Sequence, residues 1–389
     1  MDIVYLCNAQ IPSRSTNALQ VMRMCDGFRR AGAEVTLVHP RRIGNRPEGY
    51  EGDLWRFYGI EERFSIVSLP TPLTRRAAQA RLLARPVEAV PLAAYLAYIA
   101  QRRAEPFVAY ARSFLAAWLV LKIRRMLTRS GCRGVVLEVH DEPQREQDLS
   151  VLRQADGIVA ISAALRRRLI DLAPELAERV WVEHDGVDLR LFDSRKLDRD
   201  ASRERLGLPD QPIAVYTGRV NVEKGAGVLL DAARLLEDWK VVLVGRVYEE
   251  AFKKTCTPNV IFTGFIRPSD VPTYLAAADA LVLPSTNQLP YAAYTSPLKL
   301  FEYMASGRPI VAADLTVLRE ILTPERNALA YEPTDSHALT KQLQRLRDDP
   351  GLGLALARNA RDDVQQYDWK RRAQRILQRL GSLEAVLRG

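Results

Sequence analysis

The chain has 389 residues, 47% of them hydrophobic and 26% charged, with a formal net charge of +9 at pH 7. That length exceeds what one ordinary core serves and predicts two well-packed domains of similar size. Cys7, Cys25, Cys132 and Cys256 are scattered without a Cys-x-x-Cys pair and histidines are few, which argues against a disulfide framework or a zinc site and fits a reducing cytoplasm.

The chain opens on a strand-like run, Ile3-Val4-Tyr5-Leu6, with no basic segment ahead of a signal-type apolar stretch, so no secretion signal is expected. The polar loop from Ile11 to Asn17 follows, and Ser15, Thr16 and Asn17 are suited to capping the next helix. Further strands are expected at 34–38, 64–68, 107–111, 135–139, 157–161 and 179–183. Their alternation with apolar helices makes the first half a doubly wound α/β domain. Arg75, Arg76, Arg81, Arg85, Arg102 and Arg103 form a basic patch among Ala and Leu residues. It reads equally as a solvated helix face or as a peripheral contact with an anionic membrane surface. The most apolar region, 107–123, is interrupted by Arg112 and flanked by Lys122 and Arg124, so it reads as a strand and a helix and not as a membrane span.

His140 closes the strand at 135–139, where α/β domains gather ligands. A lone histidine can simply bond a core carbonyl. Here Glu138, Asp141 and Glu142 make the strand end unusually polar, which favours a site role. Residues 193–210 are charged and contain Pro209, as suits a linker. Asp198-Arg199-Asp200 has the spacing of a metal-binding acid pair, but it sits in a run of mixed charges and reads as a solvated turn; no metal is expected.

In the second half, strands are expected at 213–217, 241–245, 260–263, 280–283, 310–313 and 328–331. After the first of them Gly218 starts a loop that carries Arg219 and Lys224 into a helix with Leu229, Leu230, Ala233 and Leu236 at helical spacing. Backbone N–H groups, a helix start and two cations are a physical recipe for holding a pyrophosphate. Neither a Walker loop nor a Gly-x-Gly-x-x-Gly fingerprint is present. In the stretch from Thr295 to Asp314, Ser296 is expected to cap a helix opened by Pro297, with Lys299 in its first turn, Glu302 on the same face and Gly307 closing it. A lysine against the positive end of a helix dipole needs an anion nearby, unless it is an exposed Lys/Glu pair. From Asp368 the tail is strongly helical. No zinc module, recognition motif or aromatic interleaving supports a nucleic-acid partner.

Gly218, Arg219, Glu223, Lys224 and Gly225, then Ala278, Asp279, Pro284 and Ser285, then Glu302, Ala305, Gly307 and Pro309, resemble in order and spacing the donor-side motifs of family 4 glycosyltransferases. Residues 155–162 and the Asp-Gly-Val-Asp at 185–188 extend the resemblance over most of the chain. It implies a GT-B fold, two Rossmann-like doubly wound domains facing across a cleft: an acceptor domain at 1–192, a nucleotide-sugar domain at 193–367, and a tail at 368–389 that crosses back to the first. It further implies a retaining transfer of sugar from a nucleotide-sugar donor, UDP favoured, to an acceptor hydroxyl in glycan or glycoconjugate synthesis, without a cofactor. The acceptor could be a glycan, a lipid-linked or a small molecule, and the place cytoplasmic, with or without peripheral attachment to the inner membrane face. A nucleotide-sugar epimerase and a non-catalytic nucleotide-sugar binder remain alternatives.

By the same resemblance Arg219 and Lys224 would bind the donor pyrophosphate, Glu302 the ribose hydroxyls, and Lys299 a further phosphate oxygen. The base would lie near Gly264, Phe265 and Ile266. Gly218, Tyr294, Ser296 and Leu298 count with the donor-binding residues. Tyr294 stands where the family commonly has a sugar-contacting glutamate, which leaves the sugar open. Ser15, Thr16, Asn17 and His140 fall on the acceptor side, with His140 facing the reaction centre. His184 replaces the usual asparagine and reads as structural.

Overall fold

The computed structural model describes residues 1–42, 47, 49–71, 90–99, 105–129, 131–193, 198–286 and 290–388. Arg75, Arg76, Arg81, Arg85, Arg102 and Arg103 of the basic patch lie outside the described residues. The chain divides into two compact units, one of Met1–His184 with Trp369–Gly389 and one of Asp185–Asp368.

In the first unit, seven strands pair in parallel: β1 (Asp2–Leu6), β2 (Glu34–Arg42), β3 (Ser65–Thr71), β4 (Phe107–Ala111), β5 (Cys132–Val139), β6 (Gly157–Ala160) and β7 (Val180–Val182), in the order β3-β2-β1-β4-β5-β6-β7. The strand order reverses between β1 and β4. In such sheets the crevice outside the carboxyl ends at this reversal is where ligands bind. Apolar strand faces and helices make the core; Tyr5 stacks on Tyr110 at 5.1 Å, and Phe28 meets Tyr110 edge-on at 5.3 Å. The apolar stretch after β4 is the helix Phe114–Lys122, capped by the Ser113 side chain. Among the described residues no helix is long and apolar enough to cross a membrane. The tail helix Trp369–Arg388 packs on the helix Thr16–Arg30 so closely that a Cβ on Gly27 would lie 2.6 Å from the Trp369 carbonyl oxygen.

The second unit repeats the plan with β8 (Ile213–Thr217), β9 (Lys240–Val244), β10 (Val260–Gly264), β11 (Ala280–Leu283), β12 (Ile310–Ala313) and β13 (Leu329–Tyr331), ordered β10-β9-β8-β11-β12-β13 and again parallel. Here the reversal falls between β8 and β11. Its ends meet: Val187 N–H donates to the Tyr367 carbonyl at 3.0 Å and Leu189 N–H to the Asp368 carboxylate at 3.4 Å.

Three local expectations change. The boundary expected at 192 lies inside the second unit, since Phe192 joins that unit's core and its carbonyl accepts from Arg361 at 3.1 Å. The stretch read as a linker holds a helix, Arg199–Leu206, which Asp198 caps through Asp200 and Ala201 N–H groups and Gly207 closes at φ 62°. Asp198 therefore serves as a cap and not as half of a solvated turn. The helix after Pro297 starts at Leu298, with Pro297 itself at the cap position and no side-chain cap, so Ser296 does not fill the role its residue type suggested.

Candidate active site

The loop after β8 is shaped by glycines and pinned by tyrosines. Gly218 (φ 129°) and Gly225 (φ 77°) adopt backbone conformations that L side chains rarely take, and a Cβ on Gly225 would lie 1.4 Å from the Pro284 carbonyl oxygen at the end of β11. Gly245, after β9, comes equally close, its absent Cβ 1.9 Å from the Gly218 carbonyl oxygen. Tyr216 OH donates to the Arg219 carbonyl at 2.8 Å, and the Tyr303 hydroxyl, from the helix Leu298–Ser306, accepts from Thr217 N–H at 2.8 Å. Asn221 caps the short 3-10 turn Val222–Lys224 by accepting from Lys224 N–H at 3.1 Å. The backbone is held close to the sheet at the strand-order reversal.

Into this frame come the cations. Arg219 is exposed and Lys224 partly buried. Burial, then the Arg219 charge, push the Lys224 amine below its ordinary value, against the pull of Glu223. Lys299 lies in the first turn of its helix with its ammonium 4.0 Å from the Tyr216 ring centroid, and a Cβ on Gly218 would sit 2.9 Å from that nitrogen. Burial around the ammonium, followed by the charges of Lys224 and Arg219 against that of Glu302, lowers Lys299 to about 7. Gly218, Arg219, Lys224, Lys299 and Glu302 are thus brought into one electrostatic neighbourhood at the carboxyl end of β8. Three cations against the two acids Glu223 and Glu302 leave a net positive charge that favours an anion.

Gly264 ends β10 at φ 70°, bridged to Gly245, and Ile266 packs against the unit's core, leaving backbone and not side-chain polarity at the Gly264–Ile266 turn. Tyr294 is buried just after the turn Pro290–Ala293, while Ser296 and Leu298 are partly buried at the helix entrance.

In the first unit, Ser15 caps the helix Thr16–Arg30 by accepting from Ala18 N–H at 3.2 Å. Its loop is clamped by Tyr58, whose hydroxyl accepts from Ser13 N–H and donates to Ser13 O. Thr16 is exposed; Asn17 is partly buried with its Oδ1 unpartnered among the described residues. His140 sits at the end of β5 with both ring nitrogens engaged: Nε2 lies 2.7 Å from Glu138 Oε1 and Nδ1 lies 3.4 Å from Arg112 Nη2. Glu138 is buried. Burial opposes its charge, yet Arg372, the His140 hydrogen bond and Arg112 hold its carboxyl well below the usual carboxylate range. An ionised carboxylate only accepts, so His140 Nε2 donates to Glu138, which fixes the orientation of the ring. Tyr110 OH also donates to Glu138, and Arg372 Nη1 reaches it at 3.0 Å.

Sequence patterns did not single out Tyr216, Tyr303, Gly245 or Arg372, and read Arg112 only as the charge that interrupts an apolar run. The two tyrosines look like core strand and helix residues, and only Gly245, directly after an apolar run, carried a local sign. Among the described residues no group of His, Cys, Asp and Glu is placed to hold a metal ion, and all four cysteines are free.

Residues 211–349 match the family model described as Glycosyl transferases group 1. The chain is 30% identical over 291 residues to a D-inositol 3-phosphate glycosyltransferase of Thermomonospora curvata, covering 67% of this chain and 66% of that one. Both matches are to glycosyltransferases. It is also 27% identical over 225 residues to the sulfoquinovosyl transferase SQD2 of Arabidopsis thaliana, covering 56% of this chain and 43% of that protein. It spans between 43% and 66% of the length of these curated relatives. In three dimensions the chain matches the sucrose-phosphate synthase of Thermosynechococcus elongatus with a TM-score of 0.76 at 20% identity, over 99% of this chain and 100% of that one. Anabaena Alr3699/HepE, solved with UDP-glucose, matches at 0.72 and 21% identity over 98% and 100%. The fold is accordingly of the GT-B type.

Proposed function

We propose that the chain is a retaining glycosyltransferase that moves a sugar from a nucleotide-sugar donor, a UDP-sugar in the first instance, to an acceptor hydroxyl. The observation that carries this reading is the gathering of Arg219, Lys224 and Lys299 at the carboxyl end of β8, where glycines let the backbone come close. Its support from relatives is that Alr3699/HepE was solved with UDP and with UDP-glucose, and that the matched family is one of glycosyltransferases.

In this reading the donor lies in the second unit. Arg219 and Lys224 hold the pyrophosphate, Lys299 adds a phosphate contact, Glu302 accepts from the ribose hydroxyls, and the base rests at Gly264–Ile266. The acceptor lies in the first unit near Ser15–Asn17 and His140. As the bond from the anomeric carbon to the diphosphate oxygen breaks, the acceptor oxygen bonds that carbon on the same face and its proton passes to the departing phosphate oxygen. No side chain acts as nucleophile. The charge that develops on the leaving diphosphate is met by fixed cations and helix N–H groups, with no divalent ion assigned. The setting is cytoplasmic glycan or glycoconjugate synthesis, with attachment to the inner membrane face as an option for a lipid-linked acceptor.

Incubating the purified chain with UDP-sugars and a panel of acceptors, with products resolved by mass, tests the proposal. A glycosylated acceptor and released UDP support it. Conversion of the donor sugar without acceptor would make it an epimerase, and saturable donor binding without turnover would make it a binder.

A further inference from the structure

A cavity of about 420 Å³ opens in the second unit at the amino ends of the inner strands, opposite the loop of Arg219. Its walls include residues that directly precede strands: Pro212 before β8, Trp239 before β9, Asp279 before β11 and Pro309 before β12. Strands of this length separate it from the carboxyl ends by about 15 Å. Its volume is that of a small-molecule site.

The lining is cationic, with Arg199, Arg203, Arg308 and Arg347 against Asp210 and Asp279. Asp279 is already spent within the fold, taking Arg199 Nη1 at 2.8 Å and Ile213 N–H at 2.7 Å, and pairing with Arg203. Arg347 pairs outward with Asp238 and with Asp348. Arg308 is different. Its Nε, like the indole Nε1 of Trp239, is buried without a hydrogen-bond partner among the described residues. Burial and then the neighbouring Arg199 charge push its guanidinium below the ordinary arginine value. A guanidinium only donates, so the accessible part of Arg308, which is partly buried at the wall, calls for an acceptor, and the surrounding arginines favour a negative one. Leu346, Leu354, Ala357 and the Trp239 ring give the remaining wall an apolar character.

We propose that this cavity is a second ligand site, which takes a small oxyanion, a phosphate or a carboxylate, joined to an apolar body. Arg308 holds the charged end and the Leu354–Ala357 face of the helix Pro350–Asp363 covers the apolar end. Its occupancy draws together the segment at Arg308 and two helices, so it stabilises the folded unit. The assignment goes beyond sugar transfer and does not depend on it.

Calorimetric titration of the full chain with phenyl phosphate, benzoate and benzyl alcohol tests it without reference to turnover. Phenyl phosphate or benzoate is expected to bind with a dissociation constant near 1 mM or tighter, an affinity of about 4 kcal/mol; the stronger of the two identifies the anion. Loss of one charge-assisted contact in Arg308→Gln should weaken binding about tenfold or more. Leu354 is 75% exposed, so Leu354→Glu keeps the fold while setting a negative charge at the mouth, and should weaken binding as well. Arg219→Ala should leave it unchanged. Absence of saturable binding, equal binding of benzyl alcohol, or loss of binding in Arg219→Ala but not in Arg308→Gln and Leu354→Glu would overturn the proposal.

Discussion

The Lys299 ammonium stands 4.0 Å from the centroid of the Tyr216 ring, on ground that a side chain at residue 218 would occupy. A cation beside an aromatic face is attracted to it, yet burial and two further cations lower this amine to about 7 from its ordinary 10.5. Between those values the folded chain binds fewer protons here than the unfolded one. The residue's contribution to stability therefore rises with pH through that window and is least favourable below about pH 7.

A diphosphate bound beside Lys299 would restore its proton. At pH 8, UDP binding should take up protons, seen as a binding heat that changes between buffers of different ionisation enthalpy. Lys299→Met should remove the difference. Equal heats in both buffers for the wild-type chain would separate Lys299 from the phosphates.

Arg219→Ala and Lys224→Ala should each lower kcat/KM about 10- to 100-fold, as expected for a lost charge-assisted bond of about 1.5–3 kcal/mol. The unfolding midpoint of Arg219→Ala should hardly move, since exposed loop substitutions stay within about 0.5 kcal/mol. Turnover that is unchanged in both variants would remove the pyrophosphate assignment. Activity in excess EDTA should match that without it, because the charge on the leaving group is assigned to side chains.

Gly225→Ala should be severe. Its Cβ would fall 1.4 Å from the Pro284 carbonyl oxygen at φ 77°, so the loop must withdraw from β11. A loss of donor affinity is expected together with a destabilisation of about 2 kcal/mol or more. Gly227→Ala, two residues on in open space, is the control that should keep both.

Removing Arg372 should unsettle the first unit. Its guanidinium is fully buried against Glu138, also bonding the His184 carbonyl at 2.8 Å. Arg372→Met leaves a buried carboxylate undercompensated and should cost about 3–5 kcal/mol in denaturant unfolding, much of it recovered when Glu138→Gln is added. Glu138 also brings acid sensitivity. Its folded value lies below the ordinary 4.5, so its stabilisation is present above that pH and is lost as pH falls through the depressed folded value. The double variant should flatten that acid limb of the stability curve.

The fold was largely legible because its signals are local. Apolar runs broken by glycine and capped helices recur at short range, and every strand expected from them has a counterpart in β1–β13. The cation loop was legible for the same reason, with Gly218, Arg219 and Lys224 close together along the chain. Capping was less so: Ser296 has the right residue type, but the chain enters that helix through Pro297. The charged run before Gly207 resembled a linker because the pairing of Arg203 with Asp279, which ties its helix to the sheet, spans 76 residues.

By itself, then, the sequence determined two parallel α/β units and a loop whose glycines and cations suit a diphosphate, since backbone propensity and hydrophobic period act over a few residues. The tertiary structure decided how the charges are used. It brought Lys299 over Tyr216, set Gly225 against Pro284, turned His140 and Glu138 toward Arg112 and Arg372, and left Arg308 at the wall of a cavity of about 420 Å³. Burial and electrostatic compensation join groups far apart in the chain, and only packing fixes which of them meet.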